Sequence, residues 1–404
     1  MISKEECEKV LNAYNNKTNF EKYTITKFNS VLGFLGDHSL LKIYYSECNI
    51  KKNTTFFLKT FPKPSKEHVD YIKKLGVFQK EALLYSNLIH HFQTYFDEAF
   101  SPKMYLTDNK EFIILEDLNR LGYENIPGKS LDLNHLEAAL KSLAYLHASS
   151  IIFEEKRREL NENYQLIDEF YDEFKEVSFS PNEEHPRNKL SKNILKAVLD
   201  CIETMPEFKI YKQQTSKNLI EFIEKDVYEL IKPSKRFRNT ITHCDLWSNN
   251  AMFRKTKNNL DCILVDFQFA RYIPSVYDVL LTMYLNLSYK DLNDNFKRLL
   301  DFYYECLKRS LEKHEIEIKM IISYPEFWEC VDFYKRLAIV EATWFGTIAF
   351  IGDDLGQKIS LDEDIFREFY YFNRSKHLLE EMKRNEEYKV KITDLLRHIV
   401  ILFK

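Results

Sequence analysis

The sequence predicts an α+β chain of two lobes, a small sheet-rich one over residues 1–117 and a larger, mainly helical one over residues 118–404. Three observations carry this. A chain of 404 residues, 45% hydrophobic and 15% aromatic, can bury one large core or two ordinary ones. Between about residues 20 and 117, short β-branched and aromatic runs alternate with turns. From about residue 132 onward apolar residues recur at helical spacing, and strands return only around 240 to 270.

Taken in order, the N-terminus MISKEECEKV lacks the apolar core of a secretory signal, and no stretch approaches the roughly 18 apolar residues of a membrane span. A soluble, cytoplasmic protein is expected. LLKIYYSE and TTFFLKTF read as strands, and EFIILEDL closes the sheet region with another. Between them, Tyr71 to Phe92 places Val77, Leu84, Leu88 and Phe92 on one face, which predicts a single helix interrupting the strands. In LDLNHLEAALKSLAYLHASS, Leu133, Leu136, Leu140, Leu143 and His147 share a face, with Asn134 and Glu137 as a capping pair. SPNEEHPRNK, residues 180 to 189, reads as an exposed loop, and the segments 190 to 230 and 290 to 400 as further amphipathic helices.

Composition narrows the function. The net charge of −4, from 58 basic and 62 acidic side chains spread along the chain, offers no basic face for nucleic acid and points to a small-molecule partner. No protein partner is predicted. Seven scattered cysteines without a C-x-x-C pair suggest reduced thiols, neither a disulfide framework nor a zinc site.

The densest chemistry lies in THCDLWSNN, residues Thr242 to Asn250. The apolar runs AMF and CILV, separated by the polar RKTKNNLD, predict a β-hairpin. Asn250 immediately precedes its first strand and Asp266 immediately follows its second, so an amide oxygen and a carboxylate converge at one end. Oxygen ligands of this kind suit Mg²⁺ held jointly with phosphates. With Asp245 five residues before Asn250, the order is that of a phosphoryl-transfer site: catalytic Asp, metal-binding Asn, metal-binding Asp. Such a site also requires a strand lysine and a helix glutamate from the small lobe. Lys59, in TTFFLKTFP, and Glu81, in GVFQKEALLY, stand where they are needed.

Together, HCDLWSNNAMF, ILVDFQFAR, SVYDVLL, GVFQKEALLY, IILEDLNRLGY and LKSLAYLHASS resemble the ecdysteroid kinase-like family of insects, also called CHK-kinase-like proteins, relatives of choline and aminoglycoside kinases. The resemblance runs from about residue 30 to 350. It implies a bilobal protein-kinase-like fold that uses ATP and Mg²⁺ to phosphorylate a hydroxyl of an ecdysteroid or similar apolar alcohol. By the same resemblance Asp245 is the catalytic base, Asn250 and Asp266 the magnesium ligands, and Lys59, paired with Glu81, the phosphate contact. Asp278 holds the catalytic loop, and Glu116, Asp117 and Leu118 form a hinge where backbone groups of Glu116 and Leu118 bond adenine.

Two departures stand out. Cys244 occupies a place where the family usually has glycine, so a conformation needing glycine's freedom would be strained. The stretch VLGFLGDHSLLKIYY, with Gly33 and Gly36, supplies a phosphate-covering loop shorter than the family's. His147 and His243 read as structural histidines, and Cys244 as a tolerated substitution rather than a redox group. Trp247 is divided between substrate contact and packing. Two alternatives stay open: a choline or ethanolamine kinase, whose cationic head would require an aromatic cage or carboxylates near Asp245, with carboxylates lining the pocket favouring it, and a ligand-binding pseudokinase of the same fold.

Overall fold

The computed structural model describes residues 2–28, 36–61, 66–108, 110–126, 130–257 and 259–404. An unforeseen helix, α1 (Lys4–Tyr14), opens the chain. Ser3 caps it reciprocally, its hydroxyl accepting from the Glu6 amide while the Glu6 carboxylate accepts from the Ser3 amide. Cys7, Val10 and Leu11 recur at helical spacing and are buried against an antiparallel five-stranded sheet. The strands are β1 (Asn19–Lys27), β2 (Asp37–Glu47), β3 (Ile50–Thr60), β4 (Met104–Thr107) and β5 (Phe112–Glu116), in the spatial order β1-β2-β3-β5-β4. Period-two alternation sends Leu41, Ile43, Phe56 and Leu58 to the α1 face. Lys59, one residue on from Leu58, therefore points to the other.

The single helix expected from Tyr71 to Phe92 is broken. Helix α2 (Lys66–Leu75) stops at Gly76, whose φ of 71° is left-handed, and α3 (Val77–Leu84) starts after it. Gly76 closes the first helix through its N–H to the Ile72 carbonyl, the usual role of glycine just past a helix end. Periodicity carried across the break because both helices bury apolar residues in the same core.

Beyond the sheet the chain is mostly helical. Helix α4 (Leu133–Arg158) is buried on all sides over most of its length, as befits a central core helix. Its cap is Asp132, which accepts from the His135 amide, and not the expected Asn134 with Glu137. Helix α5 (Pro186–Thr204) begins inside the stretch read as an exposed loop, with Pro186 at its first position. Two small antiparallel pairs follow: β6 (Asn239–Thr242) with a later strand β9 (Arg271–Pro274), and between them the hairpin of β7 (Ala251–Lys255) and β8 (Leu260–Leu264). The hairpin is the one expected, with strands longer than the apolar runs alone. Wholly buried α6 (Ser275–Asn286) lies against the long α8 (Tyr324–Ala349), while α7 (Tyr289–Glu312) packs on α4. This is the mixed α+β architecture expected, an N-terminal antiparallel sheet followed by a large helical part. All seven cysteines are free thiols, and among the described residues no helix is long and apolar enough to cross a membrane.

Candidate active site

Lys59 on β3 is the point at which sheet and helical part meet. Its Nζ lies 2.6 Å from Glu81 Oε2 on α3 and 3.0 Å from Asp266 Oδ1, just past β8, with the lysine side chain 4% exposed. Burial opposes the charge on Lys59, but Asp266 and Glu81 outweigh it and hold the ammonium above its ordinary range. Burial pushes the Glu81 carboxyl above its ordinary range, with Lys59 opposing and Asp266 adding to the rise. One ammonium thus sits between two carboxylates from different elements. Gly36 lies directly against it: a Cβ built there would come within 2.9 Å of Lys59 Cε, so glycine's small size is used for close approach. Gly33 lies outside the described residues.

The loop between β6 and β7 carries Asp245. Its geometry is set by Asp278 of α6, whose two carboxylate oxygens accept from the His243 amide at 2.6 Å and the Cys244 amide at 2.9 Å. His147 steadies Asp278 in turn at 3.1 Å, its other nitrogen 2.7 Å from the Tyr303 hydroxyl. Burial works to raise Asp278, yet the bond and charge of His147 prevail and keep its carboxyl low. His243 accepts the Asp245 amide at Nδ1 and reaches the Val265 carbonyl at Nε2, which ties the loop to the strand before Asp266. Both histidines are therefore core hydrogen-bonding groups. Cys244 has φ 62°, a left-handed value that favours glycine.

Asn250 ends this loop. Its Nδ2 donates to the Asp245 carbonyl at 2.8 Å and to Asp245 Oδ2 at 3.1 Å, and its carbonyl accepts the Val265 amide across the hairpin mouth. Because the amide NH₂ is committed to Asp245, the Asn250 Oδ1 is the atom available as a ligand. Burial, reinforced by the charge of Asp266, pushes Asp245 well above the usual carboxylate range. An accumulation of carboxylate around one lysine fits a further cation, for which Asp266 and the Asn250 Oδ1 could supply oxygen donors. Among the described residues no group of three His, Cys, Asp or Glu side chains forms a metal site, so the remaining ligands of such a cation must come from elsewhere.

Asp245, Asn250 and Asp266 line one pocket together with Trp247, Phe269 and Trp344. Arg187, Arg374 and Glu341 also reach it. Glu341 is not free: Arg271 of β9 grips it with two bonds of 2.7 Å and grips Glu176 at 2.7 and 3.2 Å. Sequence reading missed this buried ion network. Its only local signal was Arg271 at the end of ILVDFQFAR, and its partners lie 95 and 70 residues away.

At the end of β5, the Glu116 N–H is bonded to the Lys103 carbonyl, and the Leu118 carbonyl accepts from both Leu121 and Tyr123. The Leu118 side chain joins Tyr123 and Ile263 in a small apolar cluster flanked by Met252 and Val265. The expected hinge residues are thus placed beside the hairpin, but the Leu118 carbonyl and the Glu116 amide are already engaged.

The sequence profile of the ecdysteroid kinase-like family matches residues 39–316, more than half of the chain. The chain belongs to that family. No curated protein matches the sequence. Among solved structures, an ethanolamine kinase of Plasmodium vivax is similar at 13% identity over 89% of this chain and 84% of its own, with a TM-score of 0.40. A microcompartment-associated aminopropanol kinase is similar at 11% identity over 96% and 99%, with a TM-score of 0.38.

Proposed function

We propose that this member of the ecdysteroid kinase-like family transfers the γ-phosphoryl group of ATP to the hydroxyl of an apolar alcohol such as an ecdysteroid. The observation that carries this is the convergence of Asp245, Asn250 and Asp266 on one pocket that aromatic and aliphatic side chains also line, with Lys59 bound to both Asp266 and Glu81 at its edge. In this reading Lys59, held charged and oriented by Glu81, binds the α- and β-phosphates, and Gly36 lets the covering strand approach them. Asp266 and Asn250 Oδ1 would hold Mg²⁺, which would neutralise phosphate charge when bound. In this reading the Leu118 N–H makes the adenine contact that its carbonyl, already accepting from Leu121 and Tyr123, cannot.

Asp245 accepts the hydrogen bond of the acceptor hydroxyl. As the oxygen–phosphorus bond forms and the bond to the ADP oxygen breaks, the proton passes to the Asp245 carboxylate, leaving ADP and a phosphate monoester. A carboxyl whose proton affinity is raised by burial suits this task. Against a quaternary or primary ammonium as acceptor stand two guanidinium groups, Arg187 and Arg374, that share the pocket; among its described lining residues the one carboxylate besides Asp245 and Asp266 is Glu341, already bound by Arg271, so aromatic rings alone would be left to receive such a cation.

The test is an ATP-consumption screen over sterols, plant alcohols and choline analogues, with mass detection of a product heavier by one phosphate. Asp245→Asn should leave ATP affinity unchanged and lower turnover by roughly 10²- to 10⁴-fold. A wild-type protein that binds ATP but phosphorylates no alcohol, or a variant as fast as wild type on a real substrate, would defeat the proposal.

A further inference from the structure

We infer that the alcohol accepted in this pocket also carries an anionic oxygen group, a carboxylate or a sulfate, received by Arg187. The inference rests on the pocket being the acceptor site of the kinase proposed above, and it narrows the acceptor from apolar alcohols in general to those that bear an anion, which an unmodified ecdysteroid does not.

Arg187 is the second residue of α5 and is only 8% exposed. Its guanidinium lies over the rings of Tyr71 at 5.6 Å and Phe269 at 5.4 Å. Among the described residues no carboxylate pairs with it, and its buried Nε has no hydrogen-bond partner. Ring faces attract a cation weakly, while a buried charge without a counter-ion is expensive, so stacking alone does not compensate for the lost hydration. Arg271, equally inside the protein, shows what this chain does with a structural arginine: two glutamates hold it.

Two further features make the surroundings of Arg187 more positive still. Arg374, 1% exposed, lines the same pocket, bonded to Thr347 Oγ1 and the Phe369 carbonyl and, among the described residues, to no carboxylate. Burial brings its guanidinium down to about 10, and the charge of Arg187 contributes in the same direction. Arg187 also stands in the first turn of a 19-residue helix, the positive end of the helix dipole, where a cation is disfavoured and an anion favoured. A bound oxyanion would complete the guanidinium, offset Arg374 and sit at the helix terminus. Apolar residues such as Trp344, Phe345 and Ile348 line the same space as Asp245, so the ligand is an amphiphile: an apolar body, a hydroxyl for Asp245 and an anion for Arg187.

Equilibrium binding to the intact protein without nucleotide tests this, using matched pairs: cholate and its methyl ester, 12-hydroxydodecanoate and its methyl ester, and a hydroxysteroid sulfate beside the unsulfated steroid. At least one acid or sulfate should bind about tenfold or more tightly than its neutral partner. Arg187→Met should remove that preference, Arg187→Lys should keep part of it, and the thermal midpoint of Arg187→Met should be equal to or above wild type because an uncompensated charge has gone. Whether carboxylate or sulfate is preferred names the source of the anion. Equal binding of every charged and neutral pair by the wild type overturns the inference without any variant, as does a preference unchanged in Arg187→Met. If Arg187→Met instead weakens ATP itself, the residue serves the nucleotide and the inference fails. Failure of the kinase reading is separately visible: no ADP would form with any alcohol, although the Arg187-dependent preference for anions would persist.

Discussion

Exchanging Cys244 for glycine and, separately, for alanine tests whether the loop that carries Asp245 is strained at that residue. At an ordinary buried position glycine is less stable than alanine by about 0.5 to 1 kcal/mol from backbone entropy. The lost methyl group adds about 0.8 kcal/mol. Here φ is 62°, and the left-handed region costs a residue with a Cβ about 1 to 2 kcal/mol. Glycine escapes that cost and alanine does not, so the two effects should cancel and bring the variants within about 0.5 kcal/mol of each other. Losing the sulfur leaves nothing unsatisfied: Thr242 Oγ1, 3.0 Å from Cys244 Sγ, also donates to the Arg271 carbonyl at 3.0 Å. The Asp278 bonds to the His243 and Cys244 amides involve backbone and remain. Turnover in the glycine variant should therefore match or exceed wild type. Burial holds the Cys244 thiol well above its ordinary range, so it contributes no thiolate chemistry that the exchange would remove. Urea unfolding of the three proteins, with turnover measured on each, is the assay. A glycine variant less stable than the alanine variant by about 1.5 kcal/mol would refute the strain argument, and loss of activity in both would show a role for the thiol.

Asp266→Asn should weaken Mg-ATP binding by about tenfold or more, whereas Asp245→Asn should leave it nearly unchanged, as read by calorimetric titration. Equal affinities for wild type and Asp266→Asn would remove Asp266 from the metal. The Arg271 network should set an acid limb of stability. Burial pushes Glu176 up, but Arg271 outweighs it and holds the carboxyl at about 2 against an ordinary 4.5. A depressed carboxyl stabilises the fold above its unfolded value and loses that contribution as pH falls from 4.5 through about 2, a loss of about 3 kcal/mol. Glu176→Gln should flatten this limb in urea midpoints taken from pH 6 to 2; parallel profiles would show that the pair does not carry it.

The sequence alone determined the features whose cause is local. Two apolar runs around a polar turn must pair as a hairpin, so Asn250 and Asp266 were bound to meet, and the structure joins Asn250 to Val265 at that mouth. Strand alternation placed Lys59 opposite Leu58, and helical spacing put Glu81 on a helix. Where a single residue decided between local alternatives the reading slipped: Gly76 cut one helix into two, and Asp132 rather than Asn134 capped the next. Helix α1 was too short and too polar on average to stand out, and it is held by the sheet face that its buried side chains cover.

Only the tertiary structure decided what depends on partners distant along the chain. Nothing near Arg271 in sequence shows that Glu176 and Glu341 will enclose it, because the pairing arises when β9, α8 and the segment before α5 pack together. Arg187 is the sharper case. In SPNEEHPRNK it stands among charged and turn-forming residues and reads as solvated, yet the fold seats it between Tyr71 and Phe269 at 8% exposure. Sequence specifies which groups can carry charge, but whether a charge ends in water, in an ion pair or facing a pocket is set by what packs around it, since hydration is lost only when distant segments close over the group.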